Sequence, residues 1–167
     1  MSAPGAARLS QCRARQQERD DVSHTAPRHL TPEDHSVRQR ALALRKALLA
    51  LHKALIDSER VGFEKTMGEI KSPNHFLQLL TGDPWFAWLH PLSRLIVALD
   101  EALDDKEPLT LAGAEALMSE FSRLLIPTEH GDGFSGHYFE ALQRDPDVVL
   151  AHAEVTKHLA QKRPSAA

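Results

Sequence analysis

The chain has 167 residues, of which 42% are hydrophobic and 26% are charged, so its size and composition are those of one globular domain with or without a tail. The net charge of −3 and the aromatic content of 5% argue against a nucleic-acid-binding protein, which needs a concentrated basic face or aromatic stacking platforms. Its one cysteine, Cys12, excludes an intramolecular disulfide, and no apolar stretch reaches the roughly 20 residues that span a bilayer.

Residues 1–30 differ from the rest because they contain few large apolar side chains and are rich in Ala, Arg, Gln, Ser and Pro. Such a segment buries too little apolar surface to offset the entropy of ordering it, so we predict a disordered N-terminal arm. The arm is either a solubilising leader or a basic segment that contacts an acidic partner. The first residues lack the apolar core of a secretory signal, so we expect a cytoplasmic protein.

Helix starts are marked by a capping side chain placed directly before a proline, at Thr31-Pro32, Ser72-Pro73, Asp83-Pro84 and Asp145-Pro146. The capping oxygen accepts a hydrogen bond from the first turn, and proline suits the first helical position. The first helix is predicted to run from residue 32 to about residue 69, with a kink or break between Gly62 and Gly68. Its apolar residues alternate spacings of four and three, as in a helical bundle: Val37, Ala41, Leu44, Leu48, Leu51 and Leu55. A second row, Leu42, Leu49 and Ile56, widens this stripe.

Further helices are predicted in the remaining chain. One covers residues 73–80, and the next opens in the segment 83–91, where Pro91 requires either a kink or a junction of two elements. Thr110 is predicted to cap a helix that ends before Pro127, and two more helices are predicted over 135–144 and from residue 146 onward. The sequence therefore predicts an all-α bundle of five to six helices, with a single helical domain over 31–162 and a frayed tail over 163–167.

The loop Glu129–His137 has the most unusual chemistry, because it combines two histidines, two acids and three glycines. His130, Asp132 and His137 are the residue types that bind zinc or iron, and glycines let a backbone approach a ligand closely. One interpretation is therefore a metal or small-ligand site. The other is a plain turn, in which the glycines allow a tight connection and Asp132 bonds to nearby backbone.

The segment around Trp85, Phe86 and Trp88 is the second candidate. Three rings within four residues cannot all face one core from a single helical stripe, so Phe86 or Trp88 is expected at a surface or in a pocket. Exposed aromatic rings are enriched at protein interfaces, which makes this patch a predicted partner-binding surface. The alternative is that neighbouring helices cover all three rings.

A polar interruption of the first helix supplies a third candidate, because Glu59 and the later Asp100 lie beside apolar stripes. If the two stretches face each other, a carboxylate held there would have a raised pKa and could bind a base or a metal. The alternative is an ion pair with Arg60 or Arg94 that sets the helix register. His52 borders the stripe and is predicted to be a partly buried packing residue.

Two stretches carry a resemblance to known sequences. The segment 73–100, with Asp83-Pro84-Trp85-Phe86-Ala87-Trp88-Leu89 and Pro91-Leu92-Ser93, resembles a group of small uncharacterised bacterial all-α proteins, and the segment 138–152 is similar to the same group. The resemblance implies a bacterial cytoplasmic helical protein. The resemblance does not indicate a particular activity or cofactor, and it identifies no functional residue.

Catalytic and cofactor motifs are missing from the sequence, which contains no His-Glu-x-x-His, no paired Glu-x-x-His, no phosphate-binding glycine loop and no Gly-x-Ser-x-Gly. We therefore predict a non-enzymatic interaction or regulatory module that binds a protein partner or self-associates, and neither nucleic acid nor membrane. The alternative is a metal- or small-ligand-binding bundle that uses the loop Glu129–His137, with Glu59 or Asp100 as a further ligand. A small hydrolase or isomerase with a buried carboxylate is a third hypothesis.

Overall fold

A computed structural model describes residues 31–161 of the chain. The predicted arm and tail lie outside the described residues, as does Cys12. Within residues 31–161 the regular secondary structure is helical, with no strand, which confirms the all-α class. The described residues contain six α-helices, which we number in chain order: α1 Pro32–Met67, α2 Pro73–Gly82, α3 His90–Asp104, α4 Leu111–Leu124, α5 Phe134–Arg144 and α6 Pro146–Ala160. A 3₁₀ helix, Pro84–Leu89, lies between α2 and α3.

Local side-chain chemistry starts most of these helices as predicted. Thr31 accepts a hydrogen bond from the Asp34 N–H, and the Asp34 carboxylate accepts from the Thr31 N–H at 2.8 Å, which forms a capping box. Ser72 and Thr110 cap α2 and α4 in the same way, through the N–H groups three residues later. These bonds satisfy first-turn N–H groups that have no intrahelical partner.

Two junctions between helices, after α1 and before α3, follow the glycine and proline signals. α1 ends at Met67, and Gly68 adopts a φ of 104°, a conformation that favours glycine. Pro91 occupies the first turn of α3, directly after the 3₁₀ helix. Two elements therefore meet there, because a first-turn position needs no N–H.

α1 is the central helix, and both of its main neighbours run antiparallel to it. Toward α3, Arg38 Nη1 donates to the Leu103 carbonyl at 2.6 Å, and His52 lies 2.9 Å from Ser93. Toward α6, Arg40 Nη2 donates to the carbonyl of Gln161 at 2.7 Å, at the far end of that helix.

One apolar core joins all of these elements. The predicted stripe of α1 lies in it, since Leu44, Leu48, Leu51 and Leu55 are fully buried. The second predicted row lies at the edge of this core, where Leu49 is 41% exposed. The largest fully buried side chains from the other elements are Phe86, Leu92, Leu99, Phe121, Tyr138, Val148 and Val155. Among the described residues, none of the helices has both the length and the apolar character needed to cross a membrane.

Candidate functional site

The loop before α5 is closed by its own backbone. The Thr128 N–H donates to the Ser135 carbonyl at 3.2 Å, and the Gly131 N–H donates to the Thr128 carbonyl at 3.0 Å. Gly133 has a φ of 62°, and a Cβ atom on Gly136 would lie 2.0 Å from the Gly131 carbonyl oxygen. The glycines are therefore required by geometry, because larger residues would be strained or would clash here.

This loop forms one side of a cleft of about 540 Å³ that we call the loop cleft. The other sides are the first turns of α3 and the end of α4. Its apolar wall consists of Pro91, Leu95, Leu124 and Phe134, and its polar groups are Arg94, Glu120, Arg123, Asp132 and Ser135. The volume lies within the range of about 300–1,000 Å³ that is typical of small-molecule pockets.

The charges of the loop cleft are only partly paired. Arg123 forms an ion pair with Glu120, one helical turn away. Within residues 31–161, the Arg94 guanidinium and the Asp132 carboxylate have no hydrogen-bond or ion-pair partner. The cleft therefore presents one cation and one anion beside an apolar wall.

The loop residues that were predicted to bind a metal are not gathered in this structure. Asp132 lines the loop cleft, His130 is exposed, and the His137 ring stacks on Trp88 with 5.3 Å between ring centres. Across residues 31–161, no three His, Cys, Asp or Glu side chains lie close enough together to hold a metal ion. Metal binding by this loop stays a prediction that would need these side chains to move.

The aromatic segment is covered by its neighbours, so the expectation that Phe86 or Trp88 lies at the surface is wrong. Phe86 is fully buried, and Trp88 is 8% exposed. The rings face different elements, which a single helical stripe cannot achieve: Phe86 lies 5.5 Å from Phe63 of α1, and Trp88 lies 5.4 Å from Phe134 of α5. Trp85 is half-buried against Phe63. The predicted partner-binding patch is therefore part of the core.

Glu59 lies in a buried polar contact, but its partner is not one of the predicted ones. Glu59 is 7% exposed and accepts a hydrogen bond at 2.5 Å from Arg144, which also donates to Ser58 at 3.1 Å. The predicted partner Arg60 instead pairs with Glu64 at 3.2 Å.

The second carboxylate of that prediction, Asp100, pairs with Arg45 of α1 rather than with Arg94. This hydrogen bond raises the pKa of Arg45 above its ordinary value. Glu59, Asp100 and His137 do not converge, since each lies among different partners.

A serine and a histidine meet between α1 and α3. Ser93 Oγ lies 2.9 Å from His52 Nε2 and 3.2 Å from the Leu89 carbonyl oxygen. The hydroxyl has one proton, so it either donates to the carbonyl and accepts from His52 Nε2–H, or donates to His52 Nε2. Burial lowers the pKa of His52, as expected for the half-buried packing residue predicted from the sequence.

Sequence reasoning missed the part of the site that comes from α3 and α4. The sequence suggests Arg94 only as one of two alternative ion-pair partners, and Leu95 and Arg123 carry no local motif. No protein-family model, curated protein or solved structure matches this chain. The resemblance to small bacterial proteins stays a prediction.

Proposed function

We propose that this protein is a non-enzymatic binding module whose ligand is a small amphipathic molecule with one anionic group, held in the loop cleft. The observation that carries this proposal is the unpaired Arg94 guanidinium beside the apolar wall of a cleft of about 540 Å³. This proposal develops the alternative prediction of a small-ligand-binding bundle, because the loop Glu129–His137 supplies Asp132, Phe134 and Ser135 to the cleft.

The lining residues indicate the class of ligand. A guanidinium binds a carboxylate or sulfonate through two parallel hydrogen bonds, and Phe134 offers an apolar surface that Trp88 supports from behind. Asp132 places a negative charge in the same cleft, which disfavours ligands with two or more negative charges. A monoanion with an apolar body therefore fits best.

Catalysis has little support at this position. None of the described lining residues is a histidine or a cysteine, and the Ser135 hydroxyl donates to the Asp132 carbonyl at 3.4 Å. The remaining acidic groups of the cleft are Asp132 and Glu120, and Glu120 is already paired with Arg123. Binding of a protein partner or of a second copy stays a prediction, but the buried Phe86 and Trp88 do not form its surface.

The test uses benzoate, an aromatic monocarboxylate, and benzamide, its uncharged isostere, in NMR titrations. Benzoate is expected to shift the Ser135 amide and the Trp88 indole signals with a Kd on the order of 1 mM, as small ligand size implies. Arg94→Gln is expected to weaken benzoate binding about tenfold, the value of one charge-assisted hydrogen bond.

Arg60→Gln is the matched control, because Arg60 lies outside the described lining of the loop cleft. It should leave the benzoate affinity unchanged. Equal benzoate affinities of wild type and Arg94→Gln would refute the proposal, as would benzoate shifts confined to residues away from the cleft.

A further inference from the structure

The buried phenol of Tyr138 on α5 contacts the imidazole of His152 on α6. The Tyr138 hydroxyl lies 2.6 Å from His152 Nδ1, and Tyr138 is fully buried. Burial raises the pKa of Tyr138, so the phenol keeps its proton. Among the described residues this hydroxyl has no other hydrogen-bond partner, and a buried O–H needs an acceptor. Tyr138 therefore donates to Nδ1, which places the hydrogen of the neutral imidazole on Nε2.

The neighbouring threonine independently supports the same tautomer. Thr156 Oγ1 donates its proton to the His152 carbonyl at 2.9 Å, so it can only accept from His152 Nε2, at 3.4 Å. Burial also lowers the pKa of His152, which favours the neutral ring. Because 3.4 Å is long for an N–H···O bond, the Nε2–H is available to a better-placed acceptor.

His152 lines a cleft of about 370 Å³ between α6 and the end of α4, which we call the α4–α6 cleft, and so does Thr156, the neighbour of its Nε2. Thr156 and Ser122 line the cleft, and the Ser122 hydroxyl donates to the Met118 carbonyl at 2.8 Å. Both hydroxyl oxygens therefore offer lone pairs as acceptors. Leu125, Ile126 and Leu159 supply apolar surface.

The charge of the α4–α6 cleft differs from that of the loop cleft. None of its described lining residues is an Asp, Glu, Lys or Arg. An ionic ligand would lose hydration there without gaining a countercharge. The two clefts share no described lining residue, so binding at one can be measured apart from binding at the other.

We propose that the α4–α6 cleft binds a small uncharged carboxamide with an apolar body. Its carbonyl oxygen accepts from His152 Nε2–H, and its N–H group donates to the hydroxyl oxygen of Thr156, which lies 3.4 Å from that nitrogen. A carboxamide is the matching class because it presents an acceptor beside a donor, complementary to the histidine N–H and the hydroxyl lone pairs. The apolar body lies against the leucine and isoleucine side chains.

The first test is an NMR titration of the full chain with benzamide and benzoate, which have the same shape and differ in charge. Benzamide is expected to shift the imidazole signals of His152 saturably, and benzoate is expected to leave them unchanged. The ¹⁵N shifts of His152 without ligand are expected to show the Nε2–H tautomer. A His152 ring in the Nδ1–H tautomer, or a His152 signal that benzamide does not shift, would overturn the proposal.

The second test examines separately Thr156, which contacts the ligand, and Tyr138, which positions His152. Thr156→Val keeps the side-chain shape and is expected to weaken benzamide binding about fivefold, as the loss of one neutral hydrogen bond implies. Thr81→Val is the matched control, because Thr81 also donates to its own helix, at Leu77, and lies outside the described lining of this cleft.

Tyr138→Phe removes the donor to Nδ1, so the His152 ring is expected to populate both tautomers and to bind benzamide more weakly. The readout is the ¹⁵N tautomer signature together with the Kd, since a purely structural role for Tyr138 would not change the tautomer. An unchanged tautomer in Tyr138→Phe, or an unchanged Kd in Thr156→Val, would contradict the proposed arrangement.

Discussion

The same substitution, glycine to alanine, is expected to change stability in opposite directions at two helical positions of this protein. Neither Gly62 in α1 nor Gly136 in α5 has a positive φ, so the backbone conformation accepts alanine at both. The difference lies in the surroundings. A Cβ atom on Gly62 would meet Trp85 at 3.6 Å, an ordinary contact, whereas one on Gly136 would lie 2.0 Å from the carbonyl oxygen of Gly131.

The magnitudes follow from these two contacts. Gly62→Ala is expected to stabilise the protein by about 0.5–1 kcal/mol, because alanine loses less backbone entropy in a helix interior. Gly136→Ala must move the loop backbone by about 1 Å, since a 2.0 Å approach lies well below van der Waals contact. We expect a loss of about 3 kcal/mol, at the upper end for overpacking, because the clash is with backbone rather than with a flexible side chain.

Urea denaturation of both variants measures this difference directly, and thermal unfolding gives a second measure. For a domain of this size, 1 kcal/mol corresponds to about 4 °C in Tm, so Gly136→Ala should unfold about 12 °C below wild type. Gly82→Ala serves as a control, because nothing lies within 4 Å of a Cβ atom there. Gly136→Ala with wild-type stability would refute the close approach of Gly131 and Gly136 on which the loop cleft depends.

Three further predictions concern the core and its polar contacts. Arg144→Ala is expected to lower the free energy of unfolding by about 2 kcal/mol, because Glu59, 7% exposed, would be left buried without its partner; urea denaturation measures this loss. In the same assay, Leu48→Ala should cost about 3 kcal/mol since the side chain is fully buried, whereas Leu49→Ala, at a position 41% exposed, should cost less than about 1 kcal/mol. Burial lowers the pKa of His52 below its ordinary value of 6.5, so the unfolded chain binds a proton more readily than the folded protein does. The free energy of unfolding is therefore complete above pH 6.5 and decreases as the pH falls from 6.5 through the lowered pKa. His52→Gln should reduce this decrease.

Each of these predictions has a result that would contradict it. Combining Arg144→Ala with Glu59→Gln should recover part of the lost stability, and the absence of any recovery would argue against an interaction between the two side chains. Equal losses for Leu48→Ala and Leu49→Ala would mean that α1 presents a different face to the core. A slope of stability against pH that is identical in wild type and His52→Gln would exclude His52 as its source.

The local chemistry of the sequence determined where most of the helices begin and where α1 ends. Thr31, Ser72 and Thr110 each bond an N–H three residues later, and such contacts need no information from the rest of the chain. The break at Gly68 and the junction at Pro91 followed from backbone properties of single residues. Apolar spacing likewise identified the buried stripe of α1, because a helix with 3.6 residues per turn brings these positions to one face.

Only the tertiary structure decided which elements face one another. The spacing of apolar residues identifies a face of a helix but not the neighbour that covers it, so Phe86 and Trp88 were expected at a surface that α1 and α5 in fact close. The pairs Glu59–Arg144 and Arg45–Asp100 join residues far apart in the chain, and no local pattern selects one arginine over another.

Both clefts also depend on the tertiary structure. Residues of α3, α4 and the loop before α5 form the loop cleft, and residues of α4 and α6 form most of the α4–α6 cleft. A concave surface depends on the packing angles and distances of several helices at once, whereas caps, turns and apolar stripes depend on a few consecutive residues.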